Sequence, residues 1–557
     1  MANRRQRCLS RRSFLVLGAT ATGAYLLPAC ATPAQPAATN APTKAPEVKA
    51  TAQATAPAPA ATTVPTQAPA VATKAAGPKR GGTFTFARTS GITEFNPMSL
   101  LAGHYAYLRS IYNTLAHYDT SLNLQPELAE KWDFSADGKT LTLKLREGVK
   151  FHSGREFTAA DVKATVDFTV GDDKSTMREL YKTVKQVDTP DKYTAVLRFD
   201  SLNPSAFDIL DTLFIIDKDS LANRAQVAVG TGPFNLDKYV PNDRLELVAN
   251  KDYWDKGKPY VDKVVVRDIP DVGTMAINLE SGAVDCIWQP TYIDLARLKG
   301  SGGKFVVDLG APGALHYNLT VNVKADPFKD KRVRQAMAWA VDRARFCKTA
   351  LQGLVAPTCL MWPTSSWGYF KDLEGKVGYD LEKAKGLLKQ AGLEKGFETE
   401  ILYSSKTGYG RIELGGIIQA DLKKLNINAK LTDLEPAQYN ARMNKGDILM
   451  LIMTYGRAGR DPGTLVTAAR AWYTEREGAW HHFESDTYEQ LRKELQGTLD
   501  RDKRKAAARK IQELALDEAF VNPVCPYPAP WAYAGYVKGF GYDFDNSPLT
   551  AEIWLDK

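Results

Sequence analysis

The spacing of apolar and polar positions changes many times along this chain. Gly82-Thr83-Phe84-Thr85-Phe86-Ala87 is rich in β-formers and predicts a strand. Leu141-Thr142-Leu143-Lys144-Leu145 alternates apolar and polar, as a half-buried strand does, and Asp137-Gly138 ahead of it predicts a hairpin turn. Ser121 to Leu124 predicts a short turn, and Leu245 to Val248 and Val261 to Val266 predict further strands. Between these the period lengthens. Thr158-Ala159-Ala160-Asp161 is a capping box that starts a helix to about Val170. Lys331 to Leu351 predicts one helix, with Val333, Ala336, Met337, Ala340, Val341 and Ala344 on one stripe. Asp380 caps a helix whose Leu381, Ala384, Leu387 and Leu388 share a face and which Gly392 ends. Two late helices are predicted over about 486–497 and 501–518. The irregular mixture predicts an α/β or α+β chain with more than one lobe.

The N-terminus follows other rules. Arg4, Arg5, Arg7, Arg11 and Arg12 form a basic head, and an apolar stretch runs from Phe14 to Leu27. Its length as a helix is about 21 Å, short of a bilayer core of about 30 Å. The pattern predicts an export signal peptide over 1–29. Ser10-Arg11-Arg12-Ser13-Phe14-Leu15 resembles a twin-arginine export motif, with Arg11 and Arg12 as the signal pair. Leu27-Pro28-Ala29-Cys30 resembles a lipobox, which would lipidate Cys30; a plain signal peptide cut nearby is the alternative. Ala, Pro and Thr supply 36 of the 49 residues in 31–79, which predicts an extended, disordered tether with no core of its own.

Length and charge then narrow the function. The chain has 557 residues, enough for three or four domains, and its 44% hydrophobic and 24% charged content is ordinary for a globular protein. The net charge is +8, but residues 1–79 carry five Arg, four Lys and one Glu and so account for all of it. The rest balances at zero, which excludes a basic groove for nucleic acid. Cys286, Cys347, Cys359 and Cys525 show no zinc-ligand spacing. Cys347 and Cys359 pair across a helix end, or all four are buried free thiols.

Three stretches carry a family resemblance. The first runs from Gln125-Pro126-Glu127-Leu128 through Leu145-Arg146-Glu147-Gly148-Val149-Lys150-Phe151-His152 to Phe157-Thr158-Ala159-Ala160-Asp161-Val162. The second joins Gly230-Thr231-Gly232-Pro233-Phe234 to Asn250-Lys251-Asp252-Tyr253-Trp254. The third is Asp326-Pro327-Phe328-Lys329-Asp330-Lys331-Arg332-Val333-Arg334-Gln335-Ala336-Met337, ending at Asp342-Arg343. Together they resemble the extracytoplasmic solute-binding proteins of family 5, the peptide, nickel and opine group of ABC importers. Taken as residues, Arg332, Arg334 and Arg343 read as surface ion pairs and His152 as a solvated or hydrogen-bonded loop residue.

The resemblance implies an α/β, three-lobed, periplasmic-binding-protein-like fold with two lobes closing on a cleft. Domain I would take 80–120, 225–308 and 525–557, domain II 121–224, and domain III 309–524. Hinge crossings would lie near Gly310-Ala311-Pro312-Gly313 and Asn522-Pro523-Val524. The implied partners are a small-molecule solute, ABC permease subunits and, through them, a separate ATPase, with no cofactor. The chain would be a lipid-anchored monomer outside the cytoplasmic membrane.

Tyr455-Gly456-Arg457-Ala458-Gly459-Arg460-Asp461-Pro462 matches the family's Trp-x-Ala-Asp-Tyr-x-Asp-Pro segment at Asp461 and Pro462. Tyr455 keeps an aromatic face. Ala458 stands where peptide-binding members carry an Asp for the ligand's ammonium, which argues against the usual peptide mode. Arg457 and Arg460 either hold a carboxylate, phosphate or sugar through forked donors, or are exposed loop residues. Trp362 and Trp367, in a Pro/Ser loop, are candidate walls for the ligand. His104, Tyr105, Tyr317 and Asn318 are candidate rim residues. His481-His482, taken as an extended pair, point to opposite faces and do not share a metal. No nucleophile elbow, HExxH or phosphate loop is present, so an enzyme is not expected. A tethered sensor, or less well an exported glycosidase, is the alternative.

Overall fold

Three larger sheets organise the computed structural model, which describes residues 77–557 apart from 90, 91, 93, 94, 99–104, 174, 176, 311–314, 408 and 457–459. Cys30, Arg11 and Arg12 therefore lie outside the described residues, as do His104 and Arg457.

A seven-stranded sheet runs in the order Phe305–Asp308, Trp531–Ala534, Cys286–Trp288, Thr83–Arg88, Lys263–Asp268, Arg244–Ala249, Phe234–Val240. Thr83–Arg88 is parallel to both neighbours, and the other pairings are antiparallel. Its Phe84 and Phe86 are buried on one side and Ala87 on the other, as alternation requires. A four-stranded antiparallel sheet has the order Ala129–Phe134, Thr140–Leu145, Thr194–Phe199, Val184–Asp191. Its first hairpin turns at Gly138, where φ is +66° and glycine carries no strain. A five-stranded sheet has the order Asn428–Asp433, Glu398–Tyr403, Met450–Gly456, Leu315–Val321, Val521–Tyr527.

The capping box at Thr158 and Asp161 is formed, and the helix runs Ala159–Gly171. Asp380 caps Leu381–Gln390 by accepting from the Lys383 amide. The late helices are Asp486–Gln496 and Arg501–Glu518. The helix expected over 331–351 is instead two, Lys331–Trp339 and Arg343–Thr349. Asp342 breaks it: its carboxylate caps the second helix by accepting from the Arg345 amide at 2.9 Å.

Arg332 pairs with Asp330 on the surface as expected, but Arg334 and Arg343 are buried. Arg334 donates to Glu518, and Arg343 donates to the carbonyls of Pro523 and Ala338. Such forked donors tie a helix to distant backbone in a way a surface ion pair does not. His152 is hydrogen-bonded to the Gly232 carbonyl at 3.0 Å. Gly230 and Gly232 are required by approach: a Cβ on Gly230 would lie 2.1 Å from the Ile111 carbonyl oxygen. The four thiols of Cys286, Cys347, Cys359 and Cys525 are buried and free, so Cys347 and Cys359 are not paired.

The chain passes between the seven-stranded and five-stranded sheets from Asp308 to Leu315 and from Tyr527 to Trp531, so the second crossing is not at Asn522-Pro523-Val524 as expected: those residues lie inside strand Val521–Tyr527, which is paired with Leu315–Val321. At the first passage Gly310 has φ +79° and packs against the Ala529 carbonyl.

Candidate functional site

The site is built where segments far apart in sequence meet. Helix Phe207–Thr212 carries Asp208 and Asp211, three residues apart and so on one face, and both are buried. Strand Met450–Gly456 leads towards Arg460, Asp461 and helix Pro462–Ala468. Asp461 caps that helix by accepting from the Gly463 amide at 2.9 Å. Pro462 suits the first helical position, where no amide hydrogen is needed.

These two segments are bonded together. Arg460 donates to Asp211 and to Asp545. The Thr464 hydroxyl and the Tyr118 hydroxyl both donate to Asp208, the latter at 3.0 Å. The Ser205 hydroxyl donates to Asp461 at 2.9 Å, and Arg504 donates to the same carboxylate at 2.5 Å. Behind them Arg109 pairs with Asp543, with Glu127 at 3.1 Å and with Asp211 at 3.7 Å.

The charges in this cluster do not balance. Among the described residues, the carboxylates of Glu127, Asp208, Asp211, Asp543 and Asp545 outnumber the guanidinium groups paired with them, those of Arg109 and Arg460. Burial pushes the Asp208 carboxyl up to about 7, against the pull of Arg460. Burial likewise raises Asp545 to about 6. Glu127 behaves oppositely: burial works to raise it, but Arg109, His117 and hydrogen bonds from Thr114 and Asn113 hold it below the ordinary carboxylate range. Arg109, surrounded by acids, is raised and stays charged.

Beside the cluster is a cavity of about 570 Å³ whose walls include Tyr118, Phe207, Asp208, Trp367, Arg460 and Arg501. Trp367 lies beneath Arg501 and Arg504, at 4.2 and 5.1 Å from ring centre to guanidinium carbon. A second cavity of about 630 Å³ lies on the other side of Ser205, walled by Asn203, Thr464, Tyr473 and Gln496.

Of the residues singled out from sequence, Trp367, Arg460 and Asp461 come together here. Arg460 is buried, so it is not an exposed loop residue, and its fork is already occupied by two carboxylates. Trp362 and Tyr455 sit deeper: both are buried, and the Tyr455 hydroxyl donates to the Met361 carbonyl at 2.9 Å. The Tyr455 ring stacks on His316 at 5.3 Å and meets Trp472 edge-on. Tyr317 packs on Phe346 and Tyr527, and its hydroxyl donates to the Tyr409 carbonyl. Asn318, on the opposite face of the strand, donates to the Met453 carbonyl. Tyr105 opens helix Tyr105–Ile111, and only its backbone is described. His481 and His482 are not on an extended strand: His482 has φ +57°, and His481 is buried against the Ala471 carbonyl. Among the described residues no group of three His, Cys, Asp or Glu is placed to hold a metal ion.

Sequence reasoning missed Asp208, Asp211, Asp545, Arg109 and Arg504. The one signal available was Asp208 and Asp211 standing within the otherwise uncharged Ala206 to Ile216 stretch.

Several sheets joined by few chain passages, with cavities between them, define a lobed α/β binding protein. The comparisons with known proteins agree. Residues 123–474 match the model for bacterial extracellular solute-binding proteins, family 5 Middle. Heme-binding protein A of Haemophilus influenzae is 27% identical over 83% of this chain and 91% of its own length. The dipeptide-binding protein of Escherichia coli is 28% identical over 76% of this chain and 85% of its own. Among solved structures, the periplasmic binding protein DppA of Helicobacter pylori, in complex with the peptide STSA, superposes with a TM-score of 0.73 at 26% identity. It covers 86% of this chain and 99% of that one. The chain belongs to the bacterial extracellular solute-binding proteins of family 5, and it is the substrate-binding component of an ABC importer.

Proposed function

We propose that this chain captures a short, zwitterionic, peptide-class solute between its lobes and delivers it to a membrane permease. One observation carries the reading: the 570 Å³ cavity has Asp208 on one wall, Arg501 on another and the Trp367 ring beside it. A peptide brings an ammonium, a carboxylate and apolar side chains, and these three surfaces answer each of them. Asp208 supplies the counter-charge that Ala458 lacks. Relatives named for dipeptide and oligopeptide binding support the class.

Three lobes go with the three sheets: domain I over 80–120, 225–308 and 525–557, domain II over 121–224 and domain III over 309–524. The passages near Gly310 and after Tyr527 act as hinges. Closure follows from the solute's greater affinity for the closed state. The finer placement is also a proposal: export through Arg11 and Arg12, lipid attachment at Cys30, an Ala/Pro/Thr tether and action as a monomer. The tether raises the concentration of binder at the permease, and a separate ATPase supplies the energy.

The test is thermal shift against di- and tripeptides, oligosaccharides and dicarboxylates, since a ligand that binds only the native state raises the melting temperature. Peptides should raise it, and Asp208→Asn should weaken the response. Silent peptides beside an active sugar or dicarboxylate would sink the peptide reading.

A further inference from the structure

Among the described residues the junction holds more carboxylates than cations, and it lies where the lobes would have to part. Asp208 is faced by Tyr118 from strand Ala116–Tyr118, by Asp211 from its own helix, and by Arg460, Asp461 and Thr464 from the facing lobe. Asp545 is faced by Arg460, Asp211, Asp543 and Arg109. Glu127 and His117 stand behind Arg109, and Arg504 is engaged by Asp461. Arg460 spans Asp211 and Asp545, and Arg109 spans Glu127, Asp543 and Asp211. Among the described residues the donors to Asp208 are two hydroxyls, those of Tyr118 and Thr464.

A carboxylate buried against hydroxyls and other carboxylates is costly when charged. When the lobes separate, water reaches Asp208 and the cost vanishes. We propose that closure of this protein is proton-linked: the empty lobes close with uptake of protons at Asp208 and Asp545, and a rise in pH opens them. This rests on the lobe-closing reading above.

The sign follows from linkage. Both carboxyls are raised in the closed form, Asp208 to about 7 and Asp545 to about 6. In the open form they return towards the ordinary carboxylate value of about 4. The proton-linked support for closure is therefore complete below about pH 4 and is lost progressively as pH rises to about 7. Over that range the closed form holds more protons than the open one. A solute ammonium at Asp208 would take the place of its proton, so solute-driven closure persists at high pH where empty closure does not.

The test uses the full mature protein carrying spin labels at Asp173→Cys and Lys493→Cys, both exposed positions, one on each lobe. Inter-label distances are measured at about pH 5.5 and about pH 8, without solute and with an equimolar dipeptide mixture. The closed population of the empty protein should fall by at least about tenfold in its closed-to-open ratio between those values. Asp208→Asn, which keeps the shape and removes the titration, should flatten that dependence, and Asp545→Asn, a second variant should the first not fold, should reduce it. Dipeptides that shorten the distance while pH leaves the empty protein unchanged would overturn proton linkage and leave capture intact. Distances that respond to neither would overturn the lobe-closing reading and this inference with it.

Discussion

Two clusters of the same residue types behave in opposite ways. In the first, Arg155 is held by Asp161 and Asp217, and Ser153 donates to Asp217 at 2.7 Å. All four lie within 153–217, around one helix start and its neighbouring loop. Burial works to raise Asp217, but hydrogen bonds from Arg155 and Ser153 hold it below the ordinary carboxylate range. In the second, Arg460 reaches Asp211 and Asp545 across the junction, and burial wins at Asp208 and Asp545. At Asp545 burial and the neighbouring Asp211 and Asp543 outweigh the donor from Arg460, whereas at Asp208 the difference lies in donors. Asp217 receives cationic and hydroxyl donors together, whereas Asp208 receives hydroxyls alone. A cluster with enough donors stabilises its own lobe at neutral pH. A cluster short of donors is a device that solvent and protons can release.

That contrast can be broken experimentally. The largest effect is expected at Arg109, whose removal as Arg109→Leu leaves Glu127 and Asp543 buried without their guanidinium partner. Denaturant unfolding should show a loss of about 3–5 kcal/mol, and a loss below about 1 kcal/mol would mean the acids are solvated. Next is Arg155→Met, with a loss of about 2 kcal/mol at neutral pH. Because Asp217 is depressed in the folded protein, its contribution is present above the ordinary carboxylate value of about 4 and is lost as pH falls below it. The variant and the parent should therefore converge in acid, and parallel pH–stability curves would remove Asp217 from the account. Trp367→Ala should weaken peptide binding in calorimetry by about 1 kcal/mol, the scale of a half-exposed cation–π wall. An unchanged affinity would place the solute elsewhere. The smallest effect is expected for Thr464→Val, about 1 kcal/mol or less in unfolding. It should nonetheless lower the closed population at neutral pH, because it removes a donor from Asp208 across the junction.

Local signals in the sequence were readable where the physics is local. The Thr158–Asp161 box, the Asp380 cap and the Asp137-Gly138 turn each satisfy backbone groups within a few residues, and each appears where expected. The helix expected over 331–351 fails for a local reason too: Asp342 competes for the backbone in the middle of an apolar stripe that periodicity alone would run through. Burial of charge was harder to see. Arg334 and Arg343 look like surface residues in sequence, yet their partners, Glu518 and Pro523, lie more than 170 positions away.

The same divide holds for the function. By itself the chain's order of motifs determined the family, because turns, caps and glycine contacts such as Gly230 at Ile111 recur wherever that backbone path recurs. Only the tertiary structure decided what Arg460 does. Its two carboxylates come from residues 249 and 85 positions away. No periodicity encodes such a meeting. It follows from how separate sheets pack, and the protonation of Asp208 follows from it in turn, since a pKa is set by the dielectric and the donors that the finished fold brings near.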